Sequence, residues 1–256
     1  MIIYIPSRGR AGLVTTPAAL PKQLAKLCTI VVRHDEIEEY REASPDLRYL
    51  VMPKGVEGIS ATRQWILDKA KGKYLCMVDD DITGFCFKPL STKYGGIRRC
   101  KASKLVPAFK LLLSWVQSGK FAHVGISERY MAARPSERPW FENNRMGQFT
   151  IWNLTLLKCL KLRFDRVPLM QDLDMNLQLL AHGYPSRVLT RVSFVAKPEN
   201  YKGGCSIFRT TPFKMRACRK LANIHKGIIE VHLKEKGGED YYFLKTKWRL
   251  ALKGRS

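Results

Sequence analysis

The stretch Tyr74-Leu75-Cys76-Met77-Val78-Asp79-Asp80-Asp81 decides how this 256-residue chain is read. A short apolar run starting at Lys73 and ending abruptly in acids is the pattern of a buried strand whose C-terminal end carries carboxylates. Hard divalent ions such as Mg2+ or Mn2+ take oxygen ligands there and keep waters and substrate phosphates. Three acids in a row are also ordinary in a solvated turn, so their surroundings decide between the two readings.

Upstream, strand and helix patterns alternate. Residues 2–6, 29–33, 47–52 and 73–78 read as strands, and 18–27, 35–41 and 60–71 as helices. In the last of these Ser60 is a possible N-cap and Gly72 a stop. This order predicts an α/β domain with parallel strands and right-handed crossovers, which gathers ligands at the carboxyl ends of its strands. Those ends carry Ser7, Arg8 and Arg10 after the first strand, His34 and Asp35 after the second, and Asp79–Asp81 after the fourth. Clustering of that kind favours the metal-site reading of the triplet.

The second half reads as helix at 102–117, extended at 121–127, a long polar stretch at 128–147, strand at 148–156, helix at 171–182, extended at 187–196, loop at 197–209 and helix at 211–226, with Pro212 at its start. There is no internal repeat and no linker long enough to divide the chain. A single domain, residues 1–256, follows, with the second half completing the sheet and adding an acceptor-binding face. Gln171-Asp172-Leu173-Asp174 places two acids on the first turn of a helix, where the dipole favours their charged forms and a carboxylate can act as general base to a hydroxyl. Capping alone explains the same pattern.

Composition points outward. Forty-five Lys and Arg against 22 Asp and Glu give a formal charge of +23. Residues 82–127 hold eight bases and no acid, and residues 197–256 hold fifteen bases against five acids. Such a field draws polyanions and binds them through counterion release, so nucleic acid is the expected partner. The seven cysteines form no CxxC pair, and no apolar stretch reaches the roughly 20 residues of a membrane span. With no signal-peptide pattern at the N-terminus, the expectation is a cytoplasmic protein without a membrane partner.

A strand ending in Val-Asp-Asp-Asp, followed about ninety residues later by Gln-Asp-Leu-Asp-Met-Asn-Leu-Gln-Leu, resembles the DxD and (E/x)-D-x-D elements of GT-A glycosyltransferases. The opening Ile-Pro-Ser-Arg-Gly-Arg and the helix bearing Gly-Ile-Ser-Ala-Thr-Arg-Gln are similar to the nucleotide-binding opening and Arg-bearing helix of that fold. Together with Lys202-Gly203-Gly204-Cys205-Ser206, these motifs resemble the phage TET-associated glycosyltransferase family over residues 1–210. The resemblance implies a GT-A (Rossmann-like) mixed, mainly parallel sheet flanked by helices. Residues 1–100 would form the nucleotide-sugar-binding half, and residues 101–256 the acceptor-binding half with its basic C-terminal region.

The resemblance also implies roles. Asp81 would ligate Mn2+ or Mg2+ at the diphosphate of a nucleotide-sugar donor, expected to be a UDP-sugar, with Asp79 as its partner. Asp80 is the variable middle position, placed on the donor side and expected to be the most dispensable of the three. Ser7, Arg8, His34, Asp35 and Arg63 match regions that hold the nucleotide. From its own position rather than from the resemblance, Lys202, beside two glycines, could close over the diphosphate, and an ordinary solvent-exposed Lys explains it as well. Asp172 aligns with the base of inverting members and Asp174 with a supporting acid. A late His often completes the metal shell in relatives, and His225 and His232 are both open for that place.

For the acceptor, the resemblance implies a hydroxymethylated pyrimidine in double-stranded DNA, and the charge agrees, since phosphate contacts position a duplex without reading it. Arg134-Pro135-Ser136-Glu137-Arg138-Pro139-Trp140-Phe141 has the cations and aromatics to handle a flipped base, although a packed surface loop explains it as well. Two other readings stay open: the same chemistry on a protein or polysaccharide acceptor, and an inactive basic module that only binds nucleic acid.

Overall fold

The computed structural model describes the chain except residues 90–95, 135–137, 146, 199–201, 205–209, 237–238 and 253–256. In chain order the first half contains β1 (Ile3–Pro6), α1 (Thr16–Ala19), α2 (Lys22–Ala25), β2 (Cys28–Arg33), α3 (Ile37–Ala43), β3 (Tyr49–Met52), α4 (Gly58–Lys69), β4 (Tyr74–Val78), β5 (Ile82–Phe87) and β6 (Arg98–Cys100). A 3₁₀ turn at Ala102–Lys104 leads into α5 (Leu105–Gln117), followed by β7 (His123–Glu128), α6 (Arg129–Ala132), β8 (Trp140–Glu142), β9 (Phe149–Asn153), α7 (Leu154–Cys159), α8 (Gln171–Ala181) and β10 (Ser186–Ala196). The chain ends with α9 (Thr211–Ile224), β11 (Ile229–Lys236), β12 (Glu239–Thr246) and α10 (Trp248–Ala251).

Ten of the strands form one sheet in the order β3-β2-β1-β4-β9-β7-β10-β5-β6, with β8 also paired to β10, and β11 and β12 form a separate pair. β1 to β4 are parallel, as the β-α alternation requires, while β9 runs antiparallel between β4 and β7. The sheet is therefore mixed, and the second half completes it. Side chains along each central strand alternate between two apolar layers. Ile3, Ile5, Ile30, Val32, Cys76 and Val78 pack with α2, α3 and α5, whereas Tyr4, Val31, Leu75 and Met77 pack with α4, α7 and α8. Burial on both faces is why the β4 sequence is a continuous apolar run.

Some expectations needed correction. Residues 18–27 form two short helices, because Pro17 starts the first and Pro21 cannot continue it. The strand expected to reach residue 156 stops at Asn153, whose side chain accepts from Leu156 N at 3.0 Å and starts α7. β5 follows the triplet immediately and was not anticipated. Nor was the β11–β12 hairpin, which packs with α9 and α10 over Leu173, Leu177 and Leu180 of α8. Among the described residues no helix is long and apolar enough to cross a membrane.

Candidate active site

The aspartate triplet is a rigid elbow between β4 and β5. Asp79 N donates to Gln148 O at 2.8 Å, Thr16 Oγ1 donates to Asp79 O at 2.6 Å, and Thr15 N and Lys197 N donate to the carbonyls of Asp80 and Asp81 at 2.9 and 3.0 Å. Backbone atoms held this way fix where the three carboxylates point. That rules out a loosely solvated turn.

Each carboxylate has a different neighbour. Asp79 Oδ1 accepts from Arg63 Nη2 at 2.7 Å. Asp80 is buried and accepts from both Ser7 Oγ and Arg10 Nη1. Asp81 shares the Arg10 guanidinium at 3.2 Å, and its Oδ1 is buried with no hydrogen-bond partner among the described residues. Burial pushes Asp79 up to about 7 against the pull of Arg63, and raises Asp80 against the pull of Arg10 and Ser7. Burial alone would lower Arg10, yet Asp80 and Asp81 outweigh it and hold the guanidinium above its usual range.

A buried orphan carboxylate oxygen is the donor a hard cation takes, and Mg2+ is usually bound by one or two carboxylates plus substrate phosphates. The chemistry of the elbow fits such an ion: Asp81 offers the unpartnered oxygen, and Asp79 lines the same cavity. Among the described residues no set of three His, Cys, Asp or Glu side chains forms a closed cage.

Across the same cavity of about 750 Å³ lies Asp172, on the first turn of α8. Met170, just before that helix, sits in the left-handed region at φ 61°, a costly conformation for a long side chain, and it sets the helix entry. Gly147 lies so close that a Cβ there would fall 2.8 Å from Asp172 Oδ2, so glycine at that position leaves room for the carboxylate. Asp174 is fully buried and does not line the cavity. It is held by His225 Nε2 at 2.7 Å, Gln178 Nε2 at 2.9 Å and Arg166 Nε at 3.5 Å. The contacts with His225 and Arg166 tie it to the end of α9 and to the segment before α8 rather than to the cavity.

Of the residues singled out in the sequence, Ser7, Arg8, Arg10, Arg63, Asp79, Asp80, Asp81 and Asp172 line the cavity. His34 and Asp35 do not; Arg33, the last residue of β2, does, while His34 and Asp35 lie in the turn that follows the strand. Asp35 instead holds Arg33 through two 2.8 Å hydrogen bonds, which keep the Asp35 carboxyl well below the usual range. Lys202 is exposed and outside the lining; its carbonyl accepts from Arg10 Nε at 3.0 Å. Gly203 and Gly204 dock on residues 8–10, where a Cβ at Gly203 would lie 2.4 Å from Gly9 O. Cys205 and Ser206 lie outside the described residues.

His225 is committed to Asp174, and His232 stacks on Phe243 with 5.0 Å between ring centroids, so neither reaches the elbow. Trp140, in the loop read either as handling a base or as a packed surface loop, encloses the Arg187 guanidinium together with Trp115 and Phe121, which agrees with packing; Pro135–Glu137 of that loop are not described. Arg145, Gly147, Lys214 and Tyr242 line the cavity and were missed. Only the last had a readable signal, since alternating Val231, Leu233 and Tyr242, Leu244 about Gly237-Gly238 form a hairpin pattern.

Comparison with known proteins bears on the fold and the family. A phage T6 beta-glucosyl-HMC-alpha-glucosyl-transferase is 27% identical over 224 residues, 85% of this chain and 78% of its own length. Among solved structures, TarS 1–349 from S. aureus in complex with UDP-GlcNAc superposes with a TM-score of 0.55 at 13% identity, over 87% of this chain and 66% of TarS 1–349. The Pyrobaculum calidifontis mannosyltransferase in complex with GDP-Man and Mn2+ gives 0.53 at 16%, over 88% and 64%. The chain thus spans slightly less than two thirds of these solved proteins, and the likeness to them is one of fold. The family model for TET-associated glycosyltransferases matches residues 1–204, and the chain belongs to that family: it is a glycosyltransferase with the GT-A fold.

Proposed function

We propose that this enzyme moves a sugar from a UDP-sugar to the hydroxymethyl oxygen of a 5-hydroxymethylpyrimidine in double-stranded DNA. The observation that carries the reading is that Asp172 and the Asp79–Asp81 elbow line one cavity in a member of this family. Residues 1–100 bind the donor: Ser7 and Arg8 after β1, Arg33 after β2 and Arg63 on α4 surround the nucleotide. Asp81, with Asp79, holds Mn2+ or Mg2+, which when bound neutralises the negative charge developing on the diphosphate. Arg10 and Arg63 keep the elbow carboxylates oriented. Asp172 takes the proton of the acceptor hydroxyl as its oxygen bonds to the anomeric carbon and the bond from that carbon to the diphosphate breaks. Such a base contributes about 10²- to 10⁴-fold.

The name of the phage T6 relative favours a second reading, in which the acceptor is a hydroxyl of a sugar already on the base and the new linkage is α. One experiment separates the two. Purified protein with Mn2+ and a panel of nucleotide sugars is incubated with hydroxymethylated DNA and with glucosylated hydroxymethylated DNA, and the released nucleosides are weighed and their linkage assigned. Addition of one sugar to the first substrate supports the proposal; addition to the second alone selects the relative's pattern, and unchanged mass in both removes the DNA acceptor. Chelation of the metal, Asp81→Ala and Asp172→Asn each remove transfer. An Asp172→Asn variant with wild-type rate ends the base assignment.

A further inference from the structure

Of the cations on the donor side of the cavity, Arg10 is matched with Asp80 and Asp81, Arg63 with Asp79 and Arg33 with Asp35. On the Asp172 side the balance differs. Arg145 is two residues before Gly147, against which Asp172 packs, and Asn176 of α8 donates to Asn144 O at 3.0 Å, so this segment runs along the first turns of α8. Lys214 reaches the same wall from α9. Arg145 and Lys214 line one cavity, and both act on the thiol of Cys218, one turn after Lys214 on α9, drawing it down against the larger upward push of burial. Among the described residues no carboxylate pairs with either. Two cations lining one cavity without an acid, beside the carboxylate that must meet the acceptor, make a site for an anion that arrives with the acceptor.

We propose that Arg145 and Lys214 clamp a backbone phosphate of the acceptor strand and so present its hydroxyl to Asp172. The inference rests on the DNA reading above and adds to it a positioning site. A nucleotide brought out of a duplex carries its flanking phosphates into the cleft, and Arg and Lys are the groups that hold them without reading sequence. Tyr242 of β12, on the same wall, offers a ring on which a base can stack. Lys214 and Tyr242 both lie beyond residues 1–204, so this part of the clamp is built by the C-terminal segment outside the family match.

The test uses the full chain carrying Arg145→Ala, Lys214→Ala and both, with a duplex containing 5-hydroxymethylcytosine. Binding is followed by fluorescence anisotropy across a sodium chloride series, and KM is measured separately for DNA and for the nucleotide sugar. In the double variant the slope of log affinity against log salt falls by about two, one for each lost phosphate contact, and KM for DNA rises by about tenfold or more. KM for the nucleotide sugar stays within about twofold, and the swap Arg145→Lys with Lys214→Arg restores DNA binding. An unchanged slope and DNA KM, or a rise confined to the donor KM, overturns the clamp. Wild-type protein that binds the duplex with the full slope but transfers nothing removes the proposed acceptor and leaves the clamp standing; wild-type protein that binds no duplex overturns both.

Discussion

Asp174 Oδ1 and His225 Nε2 meet at 2.7 Å and tie the first turn of α8 to the C-terminal end of α9. The carboxylate is fully buried, and removing one partner of a buried, hydrogen-bonded charge costs about 3 kcal/mol or more. His225→Ala is therefore expected to lower the unfolding free energy by about 3 kcal/mol. Because Asp172 sits on the same turn, the transfer rate falls with it. Urea unfolding checks this, and a midpoint equal to wild type refutes it.

Gly147→Ala tests the fit behind Asp172. The added Cβ would stand 2.8 Å from Asp172 Oδ2, so either the carboxylate or the segment before β9 must move. Misplacing a reacting group by about 1 Å costs about 10²-fold. The expected result is a fall in kcat of that order with little change in donor KM or unfolding midpoint. A wild-type kcat would show that the segment yields instead.

Asp80→Asn separates the structure from the sequence expectation. The middle acid was read as the dispensable one, yet it holds Ser7 and Arg10 together at the end of β1. Its loss leaves Arg10 with Asp81 alone, which draws a guanidinium onto the proposed metal ligand. The variant should lose about 2 kcal/mol of stability and bind Mn2+ with donor more weakly, as read by urea unfolding and calorimetry. Wild-type values in both would restore the dispensable reading.

His123 gives a pH dependence with a definite sign. It is fully buried and stacks on Trp152 with centroids 3.4 Å apart, and burial holds its pKa well below the ordinary value, with Asn176 opposing and Arg63 adding. A depressed His leaves stability unaffected at high pH, where both states are neutral. As pH falls below about 6.5 only the unfolded chain takes up the proton, and stability drops by about 1.4 kcal/mol per pH unit. Between pH 7 and 5 this amounts to about 2 kcal/mol. Comparing urea midpoints of wild type and His123→Phe across that window isolates it, and parallel curves would refute it.

Much of this was legible from local pattern. The apolar run before Asp79 is buried on both faces of the sheet, so its position in the fold follows from composition alone, and the acid pair at Asp172 and Asp174 marks a helix start through its charge. Which of neighbouring residues turns inward was not legible. Arg33 enters the cavity where His34 and Asp35 were expected, because β2 ends at Arg33 and the chain turns away over the next residues. Asp172 and Asp174, two apart on one helix, point about 200° away from each other; the placement of α8 between the cavity and α9 decides that Asp172 faces the cavity and Asp174 meets His225.

By itself, then, the chain's sequence determined the α/β order, the carboxylates after β4, the acidic helix and the basic surplus, since each depends on periodicity, spacing or charge within a short stretch. The tertiary structure decided the division of labour. Asp80 became a tether for Ser7 and Arg10, Asp81 kept the one buried unpartnered oxygen found on the elbow among the described residues, and the C-terminal segment came to wall the cavity. Those outcomes arise from contacts between residues tens to hundreds of positions apart, and no local pattern encodes them.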